Sequence, residues 1–299
     1  MNWVINLADY YVRRKLLGQK IPLLASFKLT YQCNLRCNGC PFHHRSQEEG
    51  AHMGWNTAVK ALNELKGRGC RIVMFEGGEP LLWKDGTRDF NDLVRYAKKH
   101  FLRVGATTNG TFPLDVPTDV LWVSLDGMKD THDRLRSNSF DRIWENLTAA
   151  THNKLFIHFT MNRDNWQELE PLLKLLGTAP AVKGVTVQLF YPYDQGEEPL
   201  ALSQEERKDA LTRAIELKRK GYPVMNSASR LSAMIKNSWK CNDDILINVD
   251  PDGVVTTGCY VKRRGKVQCT HCGFTPVAEA VGALNLIPGS LIAGWRIFL

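Results

Sequence analysis

The sequence predicts an α/β fold, a partial (β/α)6 TIM-like barrel followed by a small C-terminal extension. Strand-like and helix-like stretches alternate through residues 23–222, and the alternation ends there in a hairpin signal. The chain has 299 residues, 43% of them hydrophobic, enough to build a core of that size. Strand alternating with helix means a parallel sheet with right-handed crossovers. Six units spread over about 200 residues suit a partial barrel, because a closed eight-unit barrel needs about 250.

In order, "ASFKLTY" reads as a first strand leading into a cysteine-rich loop, and "WNTAVKALNELKGRG" as a helix with apolar residues at three-to-four spacing and Gly69 past its end. "RIVMFE" is a second strand and "DFNDLVRYAKKH" a helix; "RVGATTN" and "VLWVSLD" are the third and fourth strands, and "FDRIWENLTAAT" the next helix. "LFIHFTMN" is a fifth strand, "WQELEPLLKLLG" a helix, "GVTVQLF" a sixth strand and "SQEERKDALTRAIELKRKG" the last helix of the alternation. Beyond Tyr222, "ILINVDPDGVVTTG" gives two alternating runs joined by Pro-Asp-Gly, a hairpin signal. The expected division is therefore a basic amphipathic segment at 1–22, the barrel at 23–222, and an extension with an apolar tail at 223–299.

Lys and Arg exceed Asp and Glu by 39 − 31 = 8, spread over "YVRRKLLGQK", "ELKRKG" and "VKRRGK". The excess favours anionic partners, whether a phosphate-bearing substrate, an acidic protein or a membrane surface. No nucleic-acid-binding motif appears, so no nucleic-acid partner is expected. Two ends are apolar. Residues 2–17 carry Trp3, Val4, Leu7, Tyr10, Tyr11 and Leu17 beside a basic cluster, and "VGALNLIPGSLIAGW" is uncharged but broken by Pro288 and Gly289. Two readings of these ends stand, terminal helices packed on the barrel or peripheral contact with a membrane interface.

Seven of the eight cysteines fall into two groups, Cys33, Cys37 and Cys40 near the start and Cys241, Cys259, Cys269 and Cys272 near the end. Such grouping favours metal over disulfides. With no secretory signal visible before Arg13, the expected location is the cytoplasm, where thiols stay reduced. A closed structural site has four protein ligands, so Cys33, Cys37 and Cys40 without a near fourth leave one metal position to a substrate. The alternative is a zinc knuckle that borrows His43, His44 or a distant residue.

The stretch "CNLRCNGC" after a first strand resembles the radical S-adenosylmethionine (SAM) superfamily. The resemblance implies that Cys33, Cys37 and Cys40 hold a [4Fe-4S] cluster whose fourth iron is chelated by SAM, with reductive cleavage of SAM to a 5′-deoxyadenosyl radical. "FEGGEP" after the second strand is similar to the superfamily's Gly-Gly-Glu-Pro motif, which implies SAM contact for Gly77, Gly78, Glu79 and Pro80. By the same resemblance "TTNG" and "VSLDG" place Asn109, Ser124 and Asp126 on the SAM side, and Arg136 and Asn162 follow on the next loops. These motifs end successive strands, on the face where barrel sites are built. One departure is Gly39, where the superfamily usually has an aromatic residue before the third cysteine.

The four later cysteines resemble the auxiliary-cluster extensions called SPASM and Twitch, which implies a second [4Fe-4S] cluster; a structural zinc is the alternative. Cys70 reads as an inert core thiol. The segment "RRKLLGQKIPLLASFKLTYQCNLRCNGC" and the closing "CTHCGF" are similar to the radical SAM enzymes of hopanoid biosynthesis, whereas "VSLDGMKDTHDRLR" with the auxiliary cysteines resembles peptide and protein maturases. The expected substrate is an apolar or isoprenoid small molecule, with a peptide or a heme or cofactor precursor as alternatives. Gln188, Tyr191, Tyr193 and His158 are candidates to face it. An electron donor such as ferredoxin or flavodoxin is the implied partner. A non-catalytic iron-sulfur electron-transfer protein is the reading from another class.

Overall fold

The structure is a computed structural model and describes residues 3–193, 196 and 198–299. Helix α1 (Trp3–Tyr11) runs through a π-helical turn into β1 (Leu24–Thr30), followed by α2 (Trp55–Gly67) and β2 (Ile72–Gly77). A two-stranded ribbon, β3 (Lys84–Asp85) and β4 (Arg88–Asp89), precedes α3 (Phe90–Lys98), β5 (Arg103–Thr108) and β6 (Val120–Ser124). Then come α4 (Lys129–Leu135), α5 (Phe140–Ala149), β7 (Leu155–Met161), α6 (Leu169–Leu176), β8 (Val182–Leu189) and α7 (Gln204–Arg219). The last elements are α8 (Ala228–Ile235), β9 (Leu246–Val249), β10 (Val255–Thr257), α9 (Thr275–Leu284) and α10 (Pro288–Phe298).

The main sheet has the order β10-β9-β1-β2-β5-β6-β7-β8, parallel throughout except for β10. The six strands read from the alternation are all present, in the expected order. The hairpin read beyond Tyr222 is β9 and β10, and β9 pairs in parallel with β1 from Leu24 opposite Leu246 to Phe27 opposite Val249. This contact spares β1 an open edge, which suits its burial along its whole length.

Alternate residues of each strand face opposite ways. On β1, Ala25, Phe27 and Leu29 join the outer core with Val73 and Phe75 of β2 and the surrounding helices, and Phe27 and Phe75 meet edge to face at 5.4 Å. The other face of the strands points into the barrel. Helix starts follow their side-chain chemistry: Asp89 with Asp92 and Ser203 with Glu206 form reciprocal caps on α3 and α7.

Both apolar ends of the chain are helical. Helices α1 and α10 cross the end of the barrel where the strands begin: Trp3 meets Trp295 at 5.1 Å, Asp9 pairs with Arg71 at 2.5 Å, and Arg103 at the head of β5 donates to the Phe298 carbonyl. The open side between β8 and β10 is filled by Tyr191, Tyr193, Tyr260 and Phe274, stacked at 5.1–5.4 Å, and by α9, whose Thr275 hydroxyl donates to the Val187 carbonyl at 2.6 Å. Among the described residues no single helix is long and apolar enough to cross a membrane; α9 and α10 together reach that length and composition but bend by 114° at their junction.

Candidate active site and cofactor pocket

A cavity of about 640 Å³ runs through the barrel. An eight-stranded TIM barrel fills its interior with side chains. Here the inward positions leave space and change in character along the axis. At the strand starts the lining is Leu24, Ile72, Leu102 and Trp122, extended by Leu7 of α1 and Phe298 of α10. Towards the strand ends it becomes Glu76, Thr107, Ser124, His158, Thr160 and Gln188.

Cys33, Cys37 and Cys40 all line the polar end. The loop that carries them is pressed onto the end of β2, where the Gly78 N–H donates to the Thr30 carbonyl at 2.8 Å and the Glu79 N–H to the Gln32 carbonyl at 2.9 Å. Only glycines permit this approach. A Cβ on Gly77, whose φ is +123°, would lie 2.6 Å from the Thr30 oxygen, and one on Gly78 would collide with the Gln32 oxygen.

Donors converge on the sulfurs. The Leu35 N–H lies 3.4 Å from Cys33 Sγ, Asn109 Nδ2 lies 3.6 Å from it, and Arg136 Nη1 lies 4.0 Å from Cys37 Sγ. As free thiols these groups are held protonated: burial pushes Cys33 up and Cys37 to about 11, against the pull of the Arg136 charge. Three soft sulfur donors on one cavity wall, each near a group that favours the thiolate, fit an iron-sulfur cluster. Among the described residues no three His, Cys, Asp or Glu groups are placed to hold a single ion, a convergence that a cluster with one thiolate per iron does not need. His43 and His44 do not line this cavity.

Of the residues expected on the SAM side, Gly77, Gly78, Asn109, Ser124, Asp126, Arg136 and Asn162 line the cavity. Asp126 and Arg136 form a 2.6 Å ion pair, with the second Asp126 oxygen accepting the Thr160 N–H at 2.7 Å. Beneath them His132, held neutral by burial that pulls it down to about 4, accepts the Asp126 N–H on Nδ1 at 3.1 Å. Glu79 and Pro80 do not line the cavity. Glu79 is fully buried and pushed up to about 7 by burial, and its oxygens accept from the Asn109 N–H at 2.6 Å, the Thr108 hydroxyl at 2.8 Å and the Leu81 N–H at 3.0 Å. It pins the end of β2 to the end of β5 and so fixes where Asn109 stands.

Gln188, Tyr191, Tyr193 and His158 all line the cavity. Sequence reasoning missed Phe190 and Arg264. Gly39, in the left-handed region at φ +72°, lies against Phe190, whose ring a Cβ would meet at 2.7 Å, so an aromatic ring reaches the third cysteine from the end of β8 rather than from the cysteine loop. Neither residue belongs to a local motif, and only the folded chain brings them to the loop. Cys70 is buried with its thiol near the Ile72 carbonyl at 3.4 Å, in keeping with a core role.

The later cysteines are also brought together. Burial pushes the Cys241 thiol up, with Cys272, Cys259 and Cys269 all close enough to add to the effect. The Cys259 N–H donates to Asp243 at 3.0 Å, and Arg207 donates to the Cys272 carbonyl at 2.8 Å. None of the four lines the cavity.

The family model described as the radical SAM superfamily matches residues 27–176. The chain is 26% identical over 216 residues to the Fe-coproporphyrin III synthase of Methanosarcina barkeri, covering 66% of this chain and 53% of that one. It is 27% identical over 284 residues to the AdoMet-dependent heme synthase of the same organism, covering 86% and 78%. The mycofactocin maturase MftC of Mycobacterium tuberculosis is 29% identical over 182 residues, covering 56% and 45%. The chain thus spans about half the length of the first and third of these relatives. Streptococcus suis SuiB bound to S-adenosylmethionine shares the fold with a TM-score of 0.64 at 14% identity, covering 85% of this chain and 64% of that one. The enzyme anSMEcpe with bound AdoMet does so with 0.60 at 17%, covering 93% and 88%. With half of the chain matched by the family model and the parallel α/β barrel of its members, this chain belongs to the radical SAM superfamily.

Proposed function

We propose that this radical SAM enzyme acts on an apolar, lipid-like small molecule. The observation that carries the reading is the change along the cavity, from a polar end beside Cys33, Cys37 and Cys40 to an apolar end at Leu24, Ile72 and Trp122. A cavity of about 640 Å³ falls in the range of sites that enclose a small molecule. In this reading Cys33, Cys37 and Cys40 hold the cluster, and Gly77, Gly78, Asn109, Ser124, Asp126, Arg136 and Asn162 surround SAM, with Glu79 and Pro80 shaping the loop. Cluster and SAM together supply a carbon radical for hydrogen abstraction or addition. The chain's own part is to orient SAM through the Asp126–Arg136 pair and to keep water from the apolar end.

Cys241, Cys259, Cys269 and Cys272 hold a second [4Fe-4S] cluster in this proposal, within an extension that begins near residue 223. A ferredoxin or flavodoxin fits as electron donor, since the chain's net charge of +8 suits an acidic partner. Contact with an anionic membrane surface fits the apolar end of the cavity: Ile5 is 67% exposed, Leu16 77% and Trp295 56%, beside Arg13, Lys15 and Arg296.

A second reading, peptide or protein maturation, is favoured by the relatives MftC and the sporulation killing factor maturation protein SkfB of Bacillus subtilis, and by SuiB bound to its precursor peptide SuiA. The experiment that separates the two is anaerobic incubation of reconstituted protein with dithionite, SAM and either a lipid extract or a peptide extract. Faster 5′-deoxyadenosine release with lipid is the expected result. Stimulation by the peptide fraction alone overturns the apolar reading.

A further inference from the structure

We propose that Arg264 anchors an anionic group, a carboxylate or a phosphate, on the molecule that fills the barrel. Arg264 lies in the loop between β10 and α9, lines the cavity, and has a side chain only 4% exposed. Its guanidinium sits over the ring of Phe42, two residues past Cys40, at 5.2 Å. The site is on the β1 and β9 side of the cavity, whereas Arg136 extends from the loop after β6.

Among the described residues, Nε and Nη2 of Arg264 have no hydrogen-bond partner. The Tyr193 hydroxyl bonds to this guanidinium, which leaves two donors to be matched. Asp250 approaches no closer than 3.9 Å to Nη2, beyond hydrogen-bond reach, and its carboxylate is already engaged by the Tyr31 hydroxyl at 3.0 Å and Arg263 at 3.0 Å. Glu76, the other carboxylate on this wall, accepts from the Ser26 hydroxyl and faces Lys28 at 3.8 Å. The neighbouring acids are therefore committed to other donors.

Buried cations are paired in native proteins because stripping water from a charge without replacing its partners is costly. A guanidinium offers parallel N–H bonds that match the two oxygens of a carboxylate or phosphate. The chemistry on this wall therefore selects an oxyanion. With apolar lining at the strand starts, the class of ligand is an amphiphile, its anionic group beside the cysteine loop and its hydrocarbon along Trp122, Ile72 and Leu24. This inference rests on the apolar reading of the substrate and adds the group that fixes its polar end.

The test is calorimetric binding of dodecanoate, dodecyl phosphate and dodecanol to the anaerobically reconstituted protein with SAM bound, all below their micellar concentrations. Wild type should bind at least one of the two anions about tenfold or more tighter than the alcohol. R264Q should lose that preference with dodecanol affinity and SAM binding unchanged, and R264K should keep part of it. The stronger anion identifies carboxylate or phosphate. If dodecanol binds wild type as tightly as the anions, or R264Q keeps the full preference, the anchor is wrong while the apolar reading stands. If none of the three binds, both fall. Should R264Q fail to fold, the wild-type comparison and R264K decide.

Discussion

The two cysteine sets differ in what surrounds them. Cys33, Cys37 and Cys40 face the barrel cavity and are approached by donors from three elements, the loop itself, the end of β5 and the loop after β6. Cys241, Cys259, Cys269 and Cys272 cluster outside the cavity, with Cys241 and Cys269 exposed, and the nearby polar contacts go to backbone groups rather than sulfur. The number of thiols matches the setting. Three suffice where a cavity can deliver another ligand, and four are needed where the chain alone must close a site.

The largest effect expected from breaking this contrast is loss of the first set. Changing Cys33, Cys37 and Cys40 together to Ala should leave a folded protein that forms no 5′-deoxyadenosine, with iron falling from roughly eight to about four per chain. Undiminished SAM cleavage in that variant would contradict the assignment. Changing the four later cysteines to Ala should also halve the iron, yet leave SAM cleavage in place with poor substrate turnover. If that set holds zinc instead, metal analysis of the parent gives about one zinc and roughly four irons.

A smaller effect is expected at the pair between the sets of donors. R136M leaves the Asp126 carboxylate, 7% exposed, without its partner, so denaturant titration should show a loss of about 3 kcal/mol and SAM should bind at least about tenfold more weakly. Equal SAM affinity in that variant would remove Arg136 from the cofactor site.

The smallest effect is a pH dependence that two groups nearly cancel. His132 is held down to about 4, so the unfolded chain binds more protons between pH 4 and 6.5, and this contribution is full above 6.5 and lost as pH falls to 4. Glu79 is held up at about 7, so the folded chain binds more protons between pH 4.5 and 7, and its contribution is full below 4.5 and lost as pH rises to 7. Each is on the order of 3 kcal/mol, of opposite sign over an overlapping range. Urea titration of H132N should therefore show stability falling as pH rises from 4.5 to 7, and E79Q should show it rising from 4 to 6.5, each relative to wild type. Parallel curves for all three proteins would show that neither shift is real.

What was legible in the sequence was what repeats locally. The two-residue period of "RIVMFE" and the helical spacing of "WNTAVKALNELKGRG" gave the right elements because each rests on neighbours in sequence. The cysteine triplet was legible for the same reason. Glu79 was read as facing SAM, but its side chain turns into protein because Thr108 and Asn109, thirty residues away, supply the donors that satisfy it. Arg264 and Phe190 carried no signal at all. Their proximity to the cysteine loop comes from β9 pairing with β1 and from the end of β8 reaching Gly39, contacts between distant segments that no local spacing encodes.

The measurement that tests the contrast most directly is electron paramagnetic resonance of the dithionite-reduced variant in which Cys241, Cys259, Cys269 and Cys272 are Ala, recorded with and without SAM. The account predicts one cluster signal, on Cys33, Cys37 and Cys40, that changes when SAM is added, together with 5′-deoxyadenosine formation. A signal indifferent to SAM, with no cleavage, would contradict the claim that the three-thiol set opens onto a SAM site.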